Sequence, residues 1–411
     1  MGIIVQKFGG TSVAGLERMR QVLAKVRSAR CDGANKVVVV LSAMAGETNR
    51  LIDLARQWSP RPDAAEMDSL VSTGEQVSVA LFAMLLKDAG IKARSLLGFQ
   101  ADVRTDSRYG KARILGIDSE KLRAMLETHD VLVMAGFQGV DCKERITTLG
   151  RGGSDTSAVA MAVAISADVC EIYTDVDGVY TTDPNLCSTA RKIPKISYDE
   201  MLEMASMGAK VLQIRSVEFA KKYNMTVHVR STFSDCNGTF VTQEDESMEA
   251  VLVSGIAYDK DQARVTILDV QDRPGVASAL FSPLADAGIV VDMIIQNTSR
   301  DGKTTDMTFT VPRADLDETL QIIEAIKHRL GATDVLTDER VAKVSVIGVG
   351  MRSHSGVASR MFAALHDEGI NILMISTSEI KVTCLIEEKY TELAVRTLHD
   401  KFELDKAGNT C

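Results

Sequence analysis

Three glycine-bearing stretches hold the residues best suited to gripping a phosphate or a carboxylate. Lys7-Phe8-Gly9-Gly10-Thr11-Ser12-Val13 follows an apolar run and precedes a helical segment, so glycine N–H groups, a helix N-terminus and a lysine face one point. That combination is an anion site. It lacks the GxxxxGK[ST] order, which leaves the P-loop NTPase class unsupported; a tight turn with a surface lysine would use the same residues. In residues 147–157 (TTLGRGGSDTS), Gly150, Gly152 and Gly153 let the backbone approach a ligand, and Arg151 offers a bidentate grip on an anion. Ser154 or Asp155 can cap the apolar helix that follows. Residues 173–184 (YTDVDGVYTTDP) set Asp175, Asp177 and Asp183 around a strand-end turn, although Asp-Gly also serves turns for backbone reasons alone.

Positioning these loops requires strands that end together. Up to about residue 245 short apolar runs alternate with longer helical segments, the pattern of a layered α/β domain. Buried strands are expected over 3–7, 36–42, 131–135, 169–174 and 226–230, and ligands of open α/β sheets gather at the carboxyl ends of such strands. From Ala263 onward the texture changes. Residues 275–297 (GVASALFSPLADAGIVVDMIIQN) align without gaps on 356–378 (GVASRMFAALHDEGINILMISTS) with 11 of 23 positions identical, a period of about 80 residues. Each copy reads as a β-α-β-β-α-β ferredoxin-like unit. The expected division is therefore 1–245, 263–337 and 338–411, with the acidic stretch 243–249 as linker and a strand over 250–258 that pairs with the last module. Val276/Val357, Phe281/Phe362, Leu284/Leu365 and Ile289/Ile370 are expected to be core.

The chain has 411 residues, 47 Lys+Arg against 56 Asp+Glu for a net charge of −9, and 45% hydrophobic residues. Two or three domains are expected from this length. An acidic chain is poorly suited to nucleic acid, and its most apolar stretches, 37–45 and 158–167, are too short to span a membrane. The N-terminus carries no secretory pattern, so a cytoplasmic enzyme is expected. Seven cysteines without a CxxC pair point away from disulfides and zinc and toward reduced, buried thiols. None of the six histidines falls in a glycine loop.

KFGGTSV, SAMAGETN (42–49), STGEQ (72–76), GFQGV, TTLGRGGSDT, YTDVDGVYTTDP and GAKVLQIRSVEFA together resemble aspartate kinase along the whole chain, and the tandem modules resemble its regulatory ACT pair. The resemblance implies transfer of the ATP γ-phosphoryl group to the side chain of L-aspartate, with Mg²⁺ present and no assigned metal ligands. It implies that Lys7, Gly9 and Gly10 hold the transferring group, with Asp155 orienting Lys7 or the metal. Thr174, Asp175, Tyr180, Asp183, Lys210 and Val211 are implied for the nucleotide. Ser42, Thr48, Glu75, Arg151, Gly152, Gly153 and Ser154 are implied for aspartate, Arg151 on a carboxylate and Glu75 on the amine. Asn185 stands where many relatives carry a basic residue.

The same resemblance implies feedback inhibition by lysine, threonine or both at the modules. Implied effector contacts are Asp272, Gly275, Val276, Ala277, Asp292, Gln296 and Asn297 in the first copy, and Val357, Asn371, Ile372, Ser378 and Glu379 in the second. A homo-oligomer, or a complex with a short chain of the C-terminal third, is implied too, as is a monofunctional kinase, since Cys411 follows the second module closely. Two other readings fit the residues: an amino-acid sensor without catalysis, which Lys7, Arg151 and Asp155 speak against, and a kinase for another acid such as glutamate.

Overall fold

The computed structural model describes residues 2–31, 35–207, 211–249, 251–298 and 303–406. They form two compact units. The first holds residues 1–180, 192–206 and 210–248, and the second holds Thr181–Arg191, 207–209 and Glu249–Cys411. The divide at Met248 falls inside the acidic stretch 243–249, whereas Thr181–Arg191 departs from the expectation of a continuous first domain.

The first unit is built on an eight-stranded sheet with Ile3–Phe8 at its centre, flanked by Lys36–Leu41 and Val169–Thr174 in parallel. Val131–Ala135 and Ala93–Leu96 extend it on one side, and Val227–Ser231, Thr239–Thr242 and Lys195–Ser197 on the other. KVVVVL and VLVMA are buried almost throughout, as strands covered on both faces must be. Four strands expected from sequence lie within one residue of their observed ends, as does 226–230 against Val227–Ser231. The three- and four-residue strands, including the second sheet made by Val103–Thr105, Ile114–Ile117, Gln138–Val140 and Ile146–Thr148, went unforeseen because so short a run carries no periodicity. Helix Gly153–Ala164 is buried from Gly153 to Ala162 and apolar on all sides, as a central helix should be.

The helical run Ala64–Asp88 is long and apolar enough to cross a membrane by length and composition, contrary to the expectation of no such stretch. Half of its most apolar window is buried, and Gly74, Glu75 and Ser78 are buried on it, which makes it a core element of this unit.

In the second unit both repeat copies share one antiparallel sheet of six strands, in the order Asp292–Thr298, Thr304–Val311, Gly255–Gln271, Val335–Ile347, Lys381–Glu387 and Met374–Thr377. Gly255–Gln271 and Val335–Ile347 run the length of both copies. Residues 264–267 pair with 335–338 in the first copy, and 255–259 pair with 343–347 in the second. The second copy thus takes its fourth strand from ahead of the first, where the sequence reading set a strand over 250–258 against the last module. Helices Val276–Asp286 and Leu316–Leu330 cover the first core, and Val357–Asp367 and Thr391–Lys401 the second. The repeated valine, leucine and isoleucine pairs are buried in these cores, and Phe281 and Phe362 pack against them partly exposed. Among the described cysteines Cys170, Cys187 and Cys384 are buried, but Cys142 and Cys236 are exposed, which corrects the expectation of buried thiols.

Candidate active site

Lys7 sits on the central strand, paired with Val40 on one side and Ile172 on the other. Phe8 stacks on Tyr173 at 4.6 Å, and Ser42 N–H donates to Phe8 O at 3.2 Å, so the loops after the three strands leave side by side. Gly9 N–H is already committed to Tyr173 O at 3.4 Å, and a turn separates Gly10 from helix Leu16–Cys31. The expected helix N-terminus is therefore displaced from the glycines. Gly10 is required by space: a Cβ there would lie 2.8 Å from Ala43 O.

Opposite Lys7, Gly152 adopts φ +68° and opens helix Gly153–Ala164; a Cβ on it would lie 1.7 Å from Gln213 Cγ. Its turn brings Asp155 into the first turn of the helix, where a negative side chain is favoured. Asp155 Oδ1 meets Lys7 Nζ at 2.6 Å, with the side chains 10% and 12% exposed. Because desolvation offsets the attraction of a buried pair, this contact fixes position more than it adds stability. Ser154 is buried against Gly136, and Ser157 Oγ donates to Gly153 O and accepts from Phe137 N–H. Arg151 is exposed at the rim and makes no ion pair among the described residues.

Two residues that support this loop were not singled out from the sequence. Buried Asp68 accepts from Thr148 N–H and Oγ1, each at 2.7 Å, and from Gly110 N–H at 2.9 Å. Burial raises its pKa against the pull of those hydrogen bonds. Arg215 donates to Leu149 O at 2.6 Å and Ala112 O at 2.9 Å, clamping the approach to Gly150. Arg215 lies within GAKVLQIRS, whose match pointed to the region, whereas nothing local marked Asp68.

Glu75 is 3% exposed on helix Thr73–Asp88. Its Oε1 accepts from Ala43 N–H at 2.9 Å, while Oε2 is buried without a hydrogen-bond partner among the described residues. Burial raises its pKa to about 7. A carboxylate with one oxygen anchored and the other unsatisfied is suited to receiving a cation. Ser42 and Thr48 are half-buried, Ser42 after the second strand and Thr48 in the first turn of helix Glu47–Trp58.

On the third loop Thr174 O accepts from Thr232 N–H at 3.0 Å, Thr174 Oγ1 donates to Asp175 Oδ1 at 3.0 Å, and Asp175 is exposed. Tyr180 is bridged to Lys192. Val211 is half-buried in a turn, and Lys210 lies outside the described residues. Asp183 is grouped with the second unit; its Oδ1 accepts from Asn185 N–H at 2.8 Å and Nδ2 at 3.0 Å, and its Oδ2 accepts from Tyr258 OH at 3.0 Å. Both oxygens are occupied by protein partners. Lys7, Gly9, Gly10, Ser42, Glu75, Gly152, Gly153, Ser154, Asp155, Thr174 and Asp175 are the residues brought together around the central strand ends.

The amino acid kinase family profile matches residues 2–231, and ACT-domain profiles match residues 264–328 and 344–402. An aspartate kinase of Stutzerimonas stutzeri is 57% identical over 412 residues, covering 100% of both chains. The chain belongs to the aspartate kinase family. An aspartokinase of Pseudomonas aeruginosa is 56% identical over 98% of both chains. Among solved structures, E. coli aspartokinase III in complex with aspartate and ADP (R-state) superposes with a TM-score of 0.79 at 29% identity, covering 97% of this chain and 99% of that one. The same E. coli enzyme with lysine and aspartate (T-state) gives 0.77 at 30% identity, with the same coverage.

In the ACT region, Gly275 and Gly356 open the two equivalent helices with φ of +90° and +97°, and among the described residues nothing lies within 4 Å of a Cβ on either. Val276 and Val357 are buried beneath them, and Ala277 is exposed. Asp272 N–H donates to Lys303 O at 3.0 Å. Gln296, Asn297, Asn371, Ser378 and Glu379 are exposed and Ile372 is half-buried. Asp292 has protein partners of its own. Its Oδ2 pairs with the buried Lys343 Nζ at 2.5 Å and its Oδ1 accepts from Met293 N–H at 2.7 Å, so it ties the two copies together. Burial would raise its pKa, yet Lys343 holds it below the usual value.

Proposed function

We propose that the first unit transfers the γ-phosphoryl group of ATP to the side-chain carboxylate of L-aspartate, giving 4-phospho-L-aspartate and ADP. The observation that carries this reading is the Lys7–Asp155 pair at 2.6 Å, set between the Gly10 turn and the helix opened by Gly152. The acceptor carboxylate, with pKa ~3.9, is ionised at neutral pH and needs no general base. The protein's task is alignment and charge neutralisation. Lys7 holds the transferring phosphoryl group, and Asp155 fixes the direction of its ammonium. Arg151 clamps the substrate α-carboxylate, Glu75 Oε2 receives the ammonium, and Ser42, Thr48, Ser154 and the Gly152–Gly153 backbone complete the acceptor side. Thr174, Asp175, Tyr180, Lys210 and Val211 take the nucleotide.

Mg²⁺ bound with the nucleotide supplies neutralisation of phosphate charge. Among the described residues no group of three or more His, Cys, Asp or Glu side chains could hold a metal alone, which suits an ion held largely by phosphates and one or two carboxylates. Asp155, already facing Lys7, is the carboxylate that fits.

The ACT pair binds lysine, threonine or both at the open helix N-termini of Gly275 and Gly356 and inhibits the first step of the lysine, threonine and methionine pathway. The enzyme works in the cytoplasm as a homo-oligomer or with a short chain of its C-terminal third. The test is aspartate-dependent ADP formation, with the acyl phosphate trapped as a hydroxamate, measured without effector and with lysine, threonine and both. A rate no higher than that of Lys7→Ala defeats the catalytic reading. Equal kcat/KM for glutamate defeats the substrate assignment, and an active enzyme indifferent to both amino acids defeats the regulatory one.

A further inference from the structure

Thr181–Arg191 begins one residue after Tyr180 and folds with the second unit. Its neck is a short ladder. Ile193 N–H donates to Val179 O at 2.8 Å, Tyr180 is bridged to Lys192, Thr181 N–H donates to Arg191 O at 2.8 Å, and Arg191 N–H donates to Thr181 Oγ1 at 3.0 Å. Within the first unit Thr239 Oγ1 holds the near end of this ribbon. It accepts from Val179 N–H at 2.9 Å and donates to Ile193 O at 2.6 Å. Gly178 makes room for it, since a Cβ there would lie 2.6 Å from Thr239 Oγ1.

Within the second unit four residues fasten the far end, His399 twice, its Nδ1 also meeting Thr189 Oγ1 at 3.5 Å. Ile256 N–H donates to Thr181 O at 2.7 Å, His399 Nε2 meets Thr181 Oγ1 at 2.9 Å, Tyr258 OH donates to Asp183 Oδ2 at 3.0 Å, and Arg396 Nε donates to Leu186 O at 2.7 Å. All four anchors stand on two ACT elements, the strand Gly255–Gln271 and the helix Thr391–Lys401. His399 is fully buried there, and burial lowers its pKa, so its neutral ring serves as a fixed hydrogen-bonding group. Asn185 completes the turn, its N–H and Nδ2 both donating to Asp183 Oδ1.

We propose that Thr181–Arg191 is a strap through which the ACT region sets the nucleotide loop, with Tyr258 and His399 as positioning residues for ATP binding. The inference rests on the reading of Thr174, Asp175 and Tyr180 as nucleotide contacts. It needs no interface between the units. A laddered ribbon held at both ends delivers a shift of the ACT strand or its last helix along the chain to Tyr180. With the far end loosened, ATP itself must order the loop, and that ordering weakens its binding. If the four anchors served stability alone, their loss would lower the melting temperature and leave KM for ATP where it was.

The test compares the full-length parent with Tyr258→Phe, which removes only the hydroxyl on Asp183. Initial rates are taken against ATP at saturating aspartate, with thermal melts alongside. KM for ATP is expected to rise about three- to tenfold with kcat kept within about twofold, and the lysine or threonine concentration for half-inhibition is expected to rise by a similar factor. Unchanged KM and unchanged half-inhibition overturn the strap. His399→Leu and His399→Gln form a second pair: the leucine shifts KM in the same direction, and the glutamine, able to reach Thr181, restores it. If the leucine variant does not fold, Tyr258→Phe decides. Lys7→Ala run in parallel separates the two readings. Full activity in Lys7→Ala would remove the site and the strap together, whereas an inactive Lys7→Ala beside an unchanged Tyr258→Phe removes the strap alone.

Discussion

Gly152 in the kinase loop and Gly275 and Gly356 in the ACT copies each open a helix from the left-handed region, yet their surroundings differ. Gln213 fills the space above Gly152, and among the described residues nothing lies within 4 Å above the other two. At Gly152 glycine answers a steric demand as well as a dihedral one, so packing fixes the loop that carries Asp155. At Gly275 and Gly356 the dihedral alone is served, leaving helix N-termini that face open space where an anionic group can bind and leave. Chemistry has the closed version and regulation the open one.

The largest test of that contrast is Lys7→Ala, which removes the charge the closed loop is built to hold. kcat should fall about 10²–10³-fold in the ADP-release assay, and the melting temperature should fall as well, since Asp155 is left buried without its counter-charge. Next comes Glu75→Gln. Aspartate kcat/KM should fall about 10–100-fold, and its pH dependence should change form. The parent should lose kcat/KM as pH drops below about 7, because Glu75 must be ionised to take the ammonium, and the glutamine variant should be flat there.

The same group gives a stability signature. Its folded pKa is raised from 4.5 to about 7, so the folded state holds the proton more tightly than the unfolded chain. Stability without substrate should therefore decline between pH about 4.5 and about 7, and the glutamine variant should gain up to about 3 kcal/mol at pH 8 in denaturant titrations. Gly152→Ala should cost several kcal/mol or abolish folding, since strain of ~1–2 kcal/mol is added to a clash with Gln213. Smallest of all, Gly275→Ala and Gly356→Ala should each cost only ~1–2 kcal/mol by thermal melt, with feedback inhibition altered before kinase activity.

Much of the kinase site was legible because its residues cluster in short motifs at strand ends. Lys7 and Asp155 are 148 positions apart, yet each sits in a glycine loop, and parallel strands bring such loops together. Asp68 could not be read this way: it meets Thr148 and Gly110 across the fold, and a lone aspartate in a short helix has no pattern. The same holds for Asp183 and Asp292. Each meets a protein partner distant in sequence, Tyr258 and Lys343, that no local pattern marked. The repeat announced both ACT copies through shared apolar spacing, whereas the fusion of the strand expected over 250–258 with the first strand of the first copy into one element, Gly255–Gln271, is not something periodicity encodes.

That nested arrangement has a consequence for how the chain is made. The strand at 255–259 leaves the ribosome roughly 80 residues before 343–347, its partner, an interval on the order of 5–15 s at ordinary synthesis rates. Through that interval the first copy can close while an unsatisfied edge hangs beside it, open to a neighbouring nascent chain. Messages cut short in this stretch should yield clumping products, and a chaperone that shields strand edges should raise the yield of the whole enzyme more than one that shelters helices.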